Sequence, residues 1–261
     1  MSDRPPIEQA AILCGGLGTR LGPLTANMPK PLLPVSGKPF LDVLLEERGR
    51  SGVRHIVLLA GFAAERIDDY VAAGPLKGRL DLRIEVAVEP FAAGTGGALW
   101  HAKERLEDRF FLLNGDSWFD IPLARLAAPL MAEPAAIGAL ALRPVDDAAR
   151  YGSVTVAGDR IIAFSERAPQ PGPGLISGGV YAFRRSLLDH LGERCSLERD
   201  VLPPLAAAGA LRGVAFDGYF IDIGIPEDLA RAQREIPKLQ LSRAARDNRS
   251  SPATYTKSCN D

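Results

Sequence analysis

Cysteine and histidine are scarce in this chain of 261 residues, and their spacing excludes two common kinds of stabilising site. The number of cysteines is odd and the histidines are scattered, so neither a disulfide framework nor a zinc site is indicated. The residues concerned are Cys14, Cys195, Cys259, His55, His101 and His190. We therefore expect a reduced, cytoplasmic protein without histidine-based metal chemistry.

Long apolar runs are also missing. The first nine residues contain none, and Ala10–Cys14 is too short for the core of a signal peptide. The most apolar region, Leu123–Leu142, is interrupted by two charged residues and two prolines, namely Arg125, Glu133, Pro129 and Pro134. A transmembrane helix needs about 20 consecutive apolar residues. The sequence therefore predicts neither a membrane span nor a membrane partner.

A strong net charge of either sign is absent as well. The formal net charge is −1, and residues 238–261 carry five basic and two acidic side chains, or +3, which leaves −4 on the rest. A mildly acidic body argues against nucleic acid as a partner.

The last segment is rich in Ser, Arg and Asn, so we expect a loose polar tail over 238–261. Before it we expect one domain over 1–237, with halves at 1–122 and 123–237.

Short apolar runs alternate with helical patterns in the first half of the chain, which predicts a parallel sheet with helices on both faces. Strands are expected at Ala10–Cys14, His55–Leu59, Arg83–Val88 and Phe110–Leu113, and helices at Phe40–Arg50, Ala63–Ala72 and Gly97–Leu106. The second half is richer in strands, which predicts a smaller, more antiparallel layer. Those strands are expected at Ile137–Leu142, Ser153–Val156, Ile161–Phe164 and Gly179–Phe183, and a last helix starts at Pro226.

A glycine-rich turn follows the first strand, in the segment Leu13–Leu21. Glycines let backbone N–H groups approach a phosphate, and Arg20 adds a cation with several donors. The glycine spacing does not fit a dinucleotide fingerprint, and no Gly-Lys-Ser/Thr follows to make a Walker loop. Phosphate binding is favoured over a plain strand-to-helix turn, which the motif alone leaves open.

Three charged residues are candidates for ligand binding beside that turn. Lys30 lies between Pro29 and Pro31, and these prolines stiffen the loop that would present it to a second phosphate. Asp116 follows an apolar strand and an Asn-Gly pair, a pattern that is also typical of an ordinary turn. Asp222 lies within an apolar strand, where an unpaired carboxylate is costly, so we expect a cation beside it.

The combination of Gly-Gly-x-Gly-Thr-Arg-Leu with Pro-Lys-Pro-Leu resembles the signature of the sugar-phosphate nucleotidyltransferase family. Further matches run in order to Pro226, so the resemblance covers nearly the whole chain except the tail. It implies an α/β fold: a Rossmann-like, mixed, mostly parallel sheet with a smaller antiparallel sugar-binding layer. It also implies a nucleotide-binding half over 1–122 and a sugar-phosphate-binding half over 123–237.

The resemblance implies roles for individual residues. The nucleotide would be bound by Leu13, Gly15, Gly16, Gly18, Thr19, Arg20, Glu89, Thr95 and Gly96. The sugar phosphate would be bound by Lys30, Asn114, Gly152, Glu166, Arg167 and Gly179. Arg20, Lys30, Asp116 and Asp222 would be catalytic, and the two aspartates would hold Mg²⁺ as cofactor, since magnesium prefers carboxylates, phosphate oxygens and water. Two positions depart from the family pattern: Arg167 replaces the usual lysine, and Ser177 the usual asparagine.

The expected reaction joins a nucleoside triphosphate to a sugar 1-phosphate and releases pyrophosphate. The segments Asn114–Asp120 and Tyr219–Asp228 resemble the branch that includes D-glycero-D-manno-heptose 1-phosphate guanylyltransferases, which use GTP and serve bacterial surface glycans. Enzymes for mannose 1-phosphate with GTP, or N-acetylmuramate 1-phosphate with UTP, are the alternatives. A non-catalytic module that senses nucleotide sugars is the alternative from another class; it should have lost phosphate or metal residues, and this chain keeps all four.

Overall fold

The computed structural model describes residues 7–16, 18–74, 81–148, 152–165 and 171–250, with side chains to residue 241 in the last range. The strands in this part are β1 Gln9–Leu13, β2 Pro34–Val35, β3 Lys38–Pro39, β4 His55–Ala60, β5 Arg83–Val88, β6 Arg109–Asn114, β7 Ser117–Phe119, β8 Gly138–Val145, β9 Ser153–Ala157, β10 Arg160–Ser165, β11 Gly174–Arg184, β12 Leu211–Ala215 and β13 Phe220–Asp222. The α-helices are α1 Phe40–Arg50, α2 Ala64–Ala73, α3 Gly94–His101, α4 Leu123–Ala132, α5 Leu202–Ala207 and α6 Pro226–Ser250. None of the helices in the described ranges is long and apolar enough to cross a membrane.

Within the described residues, nine strands form one mixed sheet in the order β5-β4-β1-β6-β11-β8-β12-β10-β9. The first four are parallel to one another, and β11 joins β6 in antiparallel orientation. The α/β fold with a mostly parallel first half is therefore confirmed. The antiparallel strands of the second half extend the same sheet, because β11 pairs with both β6 and β8.

The sheet separates two apolar clusters of buried side chains. Along β1, Ala10 and Ile12 belong to one cluster, whereas Ala11 belongs to the other. All three are fully buried. Alternate side chains of a strand point to opposite faces, so an uninterrupted apolar run fits a strand that is covered on both faces. Burial on both faces fixes the position of the central strands. It therefore also fixes the edge of the sheet where their carboxyl ends lie.

A small two-stranded sheet lies beside the main one and joins distant parts of the chain. Strands β7 and β13 pair in antiparallel orientation, with Asp222 opposite Ser117. The Ile223 N–H donates to the carbonyl oxygen of Asp116 at 2.8 Å. This pairing brings the two aspartates singled out in the sequence onto neighbouring segments.

The last helix differs from the prediction of a loose tail beginning at residue 238. Helix α6 continues to Ser250, and residues 251–261 lie outside the described part of the chain. Nine of the thirteen residues from 238 to 250 are Lys, Leu, Gln, Arg or Ala, and these are good helix formers. Pro237 lacks the N–H that would bond Gln233 in a regular helix, and the Ser36 hydroxyl donates to the Gln233 carbonyl at 3.0 Å instead.

Candidate active site

A continuous cleft follows the carboxyl edge of the parallel strands, where open α/β sheets bind their ligands. It comprises three cavities lined by described residues. The outer cavity is lined by Leu13, Gly15, Gly16, Glu89, Ala92, Gly94, Thr95 and Ala98. The central cavity is lined by Leu13, Cys14, Gly16, Lys30, Pro31, Thr95, Asn114, Gly115, Asp116 and Glu198. The inner cavity is lined by Arg20, Asn114, Ser117, Gly152, Phe164, Ser177, Gly178, Gly179, Tyr181, Glu198, Phe220 and Asp222. Neighbouring cavities share residues, so one ligand can span them.

The glycine turn after β1 requires glycine for two different reasons. Gly18 has a φ of +64°, and a β-carbon there would lie 2.9 Å from both Lys30 Cγ and Thr25 Cγ2. The Thr25 hydroxyl donates to the Gly18 carbonyl at 2.9 Å, which ties the turn together. Gly16 faces open space, because a β-carbon there would have no neighbouring atom within 4 Å among the described residues. Gly18 therefore shapes the turn, whereas Gly16 leaves room in the cleft.

Lys30 and Asp116 form an ion pair in the central cavity. Their side chains are 14% and 24% exposed, so both remain open to the cleft while losing part of their hydration. Lys30 begins a short 3-10 helix that ends at Leu32, with Pro29 before it and Pro31 within it. The prolines restrict the backbone of this segment, and the Lys30 side chain lies beside Gly18 of the glycine turn.

Asp222 lies close enough to Asp116 for their charges to interact. Burial, and then repulsion by the Asp116 carboxylate, raises the pKa of Asp222 to about 6. The Gly224 N–H, which donates to Asp222 Oδ1 at 2.6 Å, acts in the opposite direction, as do Lys30 and Arg20. The structure thus brings two carboxylates and two cations together around the junction of the central and inner cavities.

Arg20 lies on the 3-10 segment Thr19–Thr25 and lines the inner cavity with Asp222. A β-carbon on Gly224 would lie 2.7 Å from Asp222 Oδ1 and 3.5 Å from Arg20 Nη2, so the glycine allows this close approach. Thr19, also predicted to bind the nucleotide, is exposed and is not among the residues lining the three cavities. Arg20 is thereby placed to meet an anionic ligand near the aspartates.

Glu89 forms the polar part of the outer cavity. Its Oε2 atom accepts the Ala93 N–H at 3.2 Å, and burial raises the pKa of the carboxyl group. A β-carbon on Gly61 would lie 2.1 Å from Glu89 Oε1, and one on Gly15 would lie 3.2 Å from it. Glycine at both positions therefore lets the carboxylate lie against the backbone after β1 and β4.

The start of α3 is covered by a segment that the sequence analysis did not associate with the site. We call residues 192–198 the strap. The Cys195 carbonyl accepts the N–H groups of Gly96 and Gly97, both at 3.1 Å. A β-carbon on Gly96 would lie 2.5 Å from Cys195 Sγ, so Gly96 packs under the strap instead of lining the cleft. Thr95 does line the cleft, and its hydroxyl donates to Glu198 Oε2 at 2.6 Å.

Of the described residues that were predicted to bind the sugar phosphate, Asn114, Gly152 and Gly179 line the inner cavity, whereas Lys30 lines the central cavity. Gly179 has a φ of +70°, and a β-carbon there would lie 2.8 Å from Asn114 Nδ2. Gly152 lines the same cavity, as does Ser177, whose hydroxyl donates to Tyr181 Oη at 3.1 Å. Glu166 and Arg167 lie outside the described residues.

Several residues that line the cleft were not predicted from the sequence. Glu198 and Tyr181 are the most consequential, because each carries a polar group. Tyr181 lies in β11, four residues after Ser177, to which it is hydrogen-bonded. The register of β11 shifts between these two residues, and a strand pattern in the sequence does not reveal such a shift. Glu198 lies in a π-helical turn over Leu197–Val201, a rare structure that is frequent at functional sites.

The aspartates suit a magnesium ion better than a metal held by protein ligands alone. Among the described residues, no group of three or more His, Cys, Asp or Glu side chains could hold a metal ion. Magnesium is commonly bound by one or two carboxylates together with phosphate oxygens and water. The mutual repulsion that raises the pKa of Asp222 is also what a shared cation would relieve. The residues present therefore fit Mg²⁺ delivered with a phosphate ligand.

Cys14 lines the central cavity but cannot act as a nucleophile. It is fully buried, and burial, with a further contribution from Asp116, raises the pKa of its thiol far above the usual range. A thiol that stays protonated is not a nucleophile. Cys14 therefore serves as a small packing residue behind the glycine turn.

Comparison with known proteins gives a family match over most of the chain. Residues 9–238 match the model of the family described as nucleotidyl transferase. The D-glycero-alpha-D-manno-heptose 1-phosphate guanylyltransferase of Campylobacter jejuni is 36% identical over 84% of this chain and 96% of its own length. The enzyme of the same name from Aneurinibacillus thermoaerophilus is 34% identical over 87% of this chain and 98% of its own length.

Solved structures lead to the same family. The crystal structure of HddC from Yersinia pseudotuberculosis has a TM-score of 0.77 at 30% identity and covers 88% of this chain and 100% of that chain. HddC complexed with GMP-PN has a TM-score of 0.76 at the same identity and coverage. The region that matches the family, residues 9–238, contains the glycine turn, both aspartates and the strap. The chain belongs to the nucleotidyl transferase family.

Proposed function

We propose that this protein transfers the guanylyl group of GTP to D-glycero-D-manno-heptose 1-phosphate and releases pyrophosphate. The observation that carries the proposal is the meeting of Asp116, Asp222, Lys30 and Arg20 at the junction of two cavities. A reaction between two phosphate esters needs such a junction, because the negative charges of both substrates converge there. The heptose 1-phosphate guanylyltransferases that this chain matches over nearly their whole length support the choice of substrates.

The chemistry needs no general base. A phosphate monoester with a second pKa of about 6 is mostly ionised near neutral pH, so a sugar phosphate oxygen can attack the α-phosphorus directly. The leaving group is pyrophosphate, in line with the attacking oxygen. The protein then contributes by positioning the substrates and neutralising their charge. In this proposal Arg20 holds the β- and γ-phosphates, and Lys30 bridges the phosphates of the two substrates.

We propose that Asp116 and Asp222 hold Mg²⁺ at the α-phosphate. The ion would stabilise the negative charge that develops there. Lys30 forms an ion pair with Asp116, and Arg20 lines the inner cavity together with Asp222. The two cations thus limit the repulsion between the carboxylates before the substrates bind.

Guanine is the base that best matches Glu89. The Watson–Crick edge of guanine presents two adjacent donors, N1–H and the N2 amino group, to an acceptor that itself has two oxygens. Uracil and thymine present one donor between two carbonyl oxygens, and those oxygens would face the carboxylate. Because Glu89 lines the outer cavity and is held by the Ala93 N–H, it can make this distinction without moving. A base without the matching donors would leave the carboxylate of Glu89 without these hydrogen bonds, and that cost makes the selection strong.

The sugar is proposed from the relatives, and the inner cavity is consistent with a polyhydroxylated ligand. Its polar lining includes Asn114, Ser177 and Tyr181.

We also propose that the reaction takes place in the cytoplasm. Cys14 and Cys195 are free thiols in the described part of the chain, which suits a reducing compartment.

Pyrophosphate release from a matrix of substrates tests the proposal. GTP, ATP, UTP, CTP and dTTP would each be combined with the 1-phosphates of heptose, mannose and N-acetylmuramate, with magnesium present. The expected result is release with GTP and heptose 1-phosphate at a kcat/KM at least about tenfold above every other combination. Preference for mannose 1-phosphate, or for UTP with N-acetylmuramate 1-phosphate, would replace the proposed substrates. No release in any combination would favour a regulatory module that binds nucleotide sugars.

A further inference from the structure

Glu198 lies where the central and inner cavities meet, and the proposed reaction assigns it no role. It belongs to the π-helical turn Leu197–Val201 at the end of the strap, and it lines both cavities. Of the described carboxylates lining the cleft, Asp116 and Asp222 face the cations, and Glu89 lines only the outer cavity. A third carboxylate at the junction is costly unless it binds something.

The Glu198 side chain is held in one orientation by two hydroxyl groups. Its Oε2 atom accepts hydrogen bonds from Thr95 Oγ1 at 2.6 Å and from Ser196 Oγ at 3.1 Å. The Leu197 N–H in turn donates to Thr95 Oγ1 at 2.8 Å, so the threonine is fixed as well. The Oε1 atom makes no hydrogen bond to any residue in the described ranges. Among the described residues, the carboxylate therefore keeps one oriented acceptor atom without a protein donor, beside the two cavities that it lines.

The surroundings of Glu198 indicate which ligand group it accepts. A phosphate would be repelled by the carboxylate, whereas a hydroxyl group of a sugar can donate a hydrogen bond to it. The Tyr181 hydroxyl is near enough for Glu198 to affect its titration, and Ser177 bonds to that tyrosine at 3.1 Å. Ser177, Tyr181 and Glu198 thus form one polar wall of the inner cavity. A ligand with several hydroxyl groups can pair with such a wall.

We propose that Glu198 is a specificity-determining residue that accepts a hydrogen bond from a hydroxyl group of the sugar 1-phosphate. Thr95 acts as its positioning residue, since its hydroxyl group, at the start of α3, donates a hydrogen bond to the carboxylate. The inference rests on the proposed function. The sugar is favoured over the ribose because Glu198 shares the inner cavity with Ser177 and Tyr181 and is absent from the lining of the outer cavity.

Steady-state kinetics of four variants tests this inference, with KM measured separately for GTP and for the sugar 1-phosphate. Glu198→Ala should raise the KM of the sugar phosphate by about 10- to 100-fold, as expected for loss of a hydrogen bond to a charged acceptor. Its KM for GTP should stay within about twofold of the wild-type value. Thr95→Val should raise the KM of the sugar phosphate by about three- to tenfold, and Thr95→Ser should restore it. Glu193→Ala is the matched control, because Glu193 is an exposed glutamate in the same strap.

The outcomes separate this inference from the proposed function. If the wild-type protein releases no pyrophosphate with any sugar 1-phosphate, the proposed function fails and the inference falls with it. If the wild type is active and Glu198→Ala leaves the KM of the sugar phosphate unchanged, the inference alone is wrong. If the KM for GTP rises instead, Glu198 contacts the ribose of the nucleotide, and the inference is again wrong. Equal rises for both substrates with a lower melting temperature would mean that Glu198 only holds the strap. Calorimetric titration with GTP alone would show whether each variant remains folded and binds nucleotide.

Discussion

The outer and inner cavities are built by different means. The outer cavity is lined mainly by glycine and alanine residues from two short segments, at the ends of the parallel strands β1 and β5, with Glu89 as its charged residue. The inner cavity is lined by side chains from segments spread between residues 20 and 222. A site made of consecutive glycines is visible in a sequence, whereas a site assembled from many segments depends on how the strands pair. This difference explains which parts of the cleft could be predicted.

The fold and the outer cavity were largely predictable. Alternation of apolar strands and helices predicted the parallel strands β1, β4, β5 and β6, because residues covered on both faces must be apolar. Glycine spacing predicted the turn that contains Gly16 and Gly18. The strap escaped prediction because its contact with α3 uses the Cys195 carbonyl, which has no sequence signature.

The inner cavity was predictable only in part. Asp222 stood out because it lies in an apolar strand, and its proximity to Asp116 follows from the pairing of β7 with β13. Glu198 and Tyr181 could not be predicted from composition or spacing, since a glutamate and a strand tyrosine are ordinary residues. The loose tail was predicted from composition, yet residues 238–250 form helix because their intrinsic helix propensity is high.

The largest expected effect is on the aspartate pair, at the point where the two ends of the cleft meet. Asp222→Asn should lower kcat by about 1,000-fold, because the proposed cation loses a charged ligand at the reacting phosphate. The amide can still accept the Gly224 N–H, so the circular dichroism spectrum should stay that of the wild type. A kcat within about threefold of wild type would refute the assignment of Asp222 to catalysis.

A second prediction concerns only the outer cavity. Glu89→Gln should lower kcat/KM for GTP by about 10- to 100-fold, because the amide offers one acceptor and a donor in place of two acceptors. The KM of the sugar 1-phosphate should stay within about twofold of wild type, since Glu89 does not line the inner cavity. Competition between GTP and UTP in one reaction measures the change in preference. Unchanged preference would remove Glu89 from base selection.

Two glycine substitutions separate folding from binding within the same turn. Gly18→Ala should lower the free energy of unfolding by about 1–3 kcal/mol, because of its positive φ and its contacts with Thr25 and Lys30. Gly16→Ala should leave stability within about 0.5 kcal/mol, since its β-carbon meets open space. It should nevertheless weaken GTP binding about tenfold by obstructing the phosphate. Urea unfolding and calorimetric titration measure the two effects, and equal loss of stability in both variants would contradict this division.

A pH dependence of stability is expected to originate in Asp222. Its pKa is raised from an ordinary value of 3.8 to about 6, so the folded protein holds the proton more tightly than the unfolded chain. Ionisation of Asp222 therefore lowers stability as the pH rises from about 4 to 6. Without divalent cations, Asp222→Asn should be more stable than wild type by about 2 kcal/mol above pH 6 and equal to it below pH 4. The exposed Asp217 is the control, and Asp217→Asn should follow the wild-type profile at every pH.

Binding of a divalent cation is the most direct test of the central claim that Asp116 and Asp222 share one ion. Mn²⁺ would be titrated into the protein in the presence of GTP and followed by electron paramagnetic resonance. We expect one bound ion per chain beyond the ions that GTP binds alone, and loss of that ion in both Asp116→Asn and Asp222→Asn. Retention of the protein-dependent ion at wild-type affinity in either variant would contradict the claim.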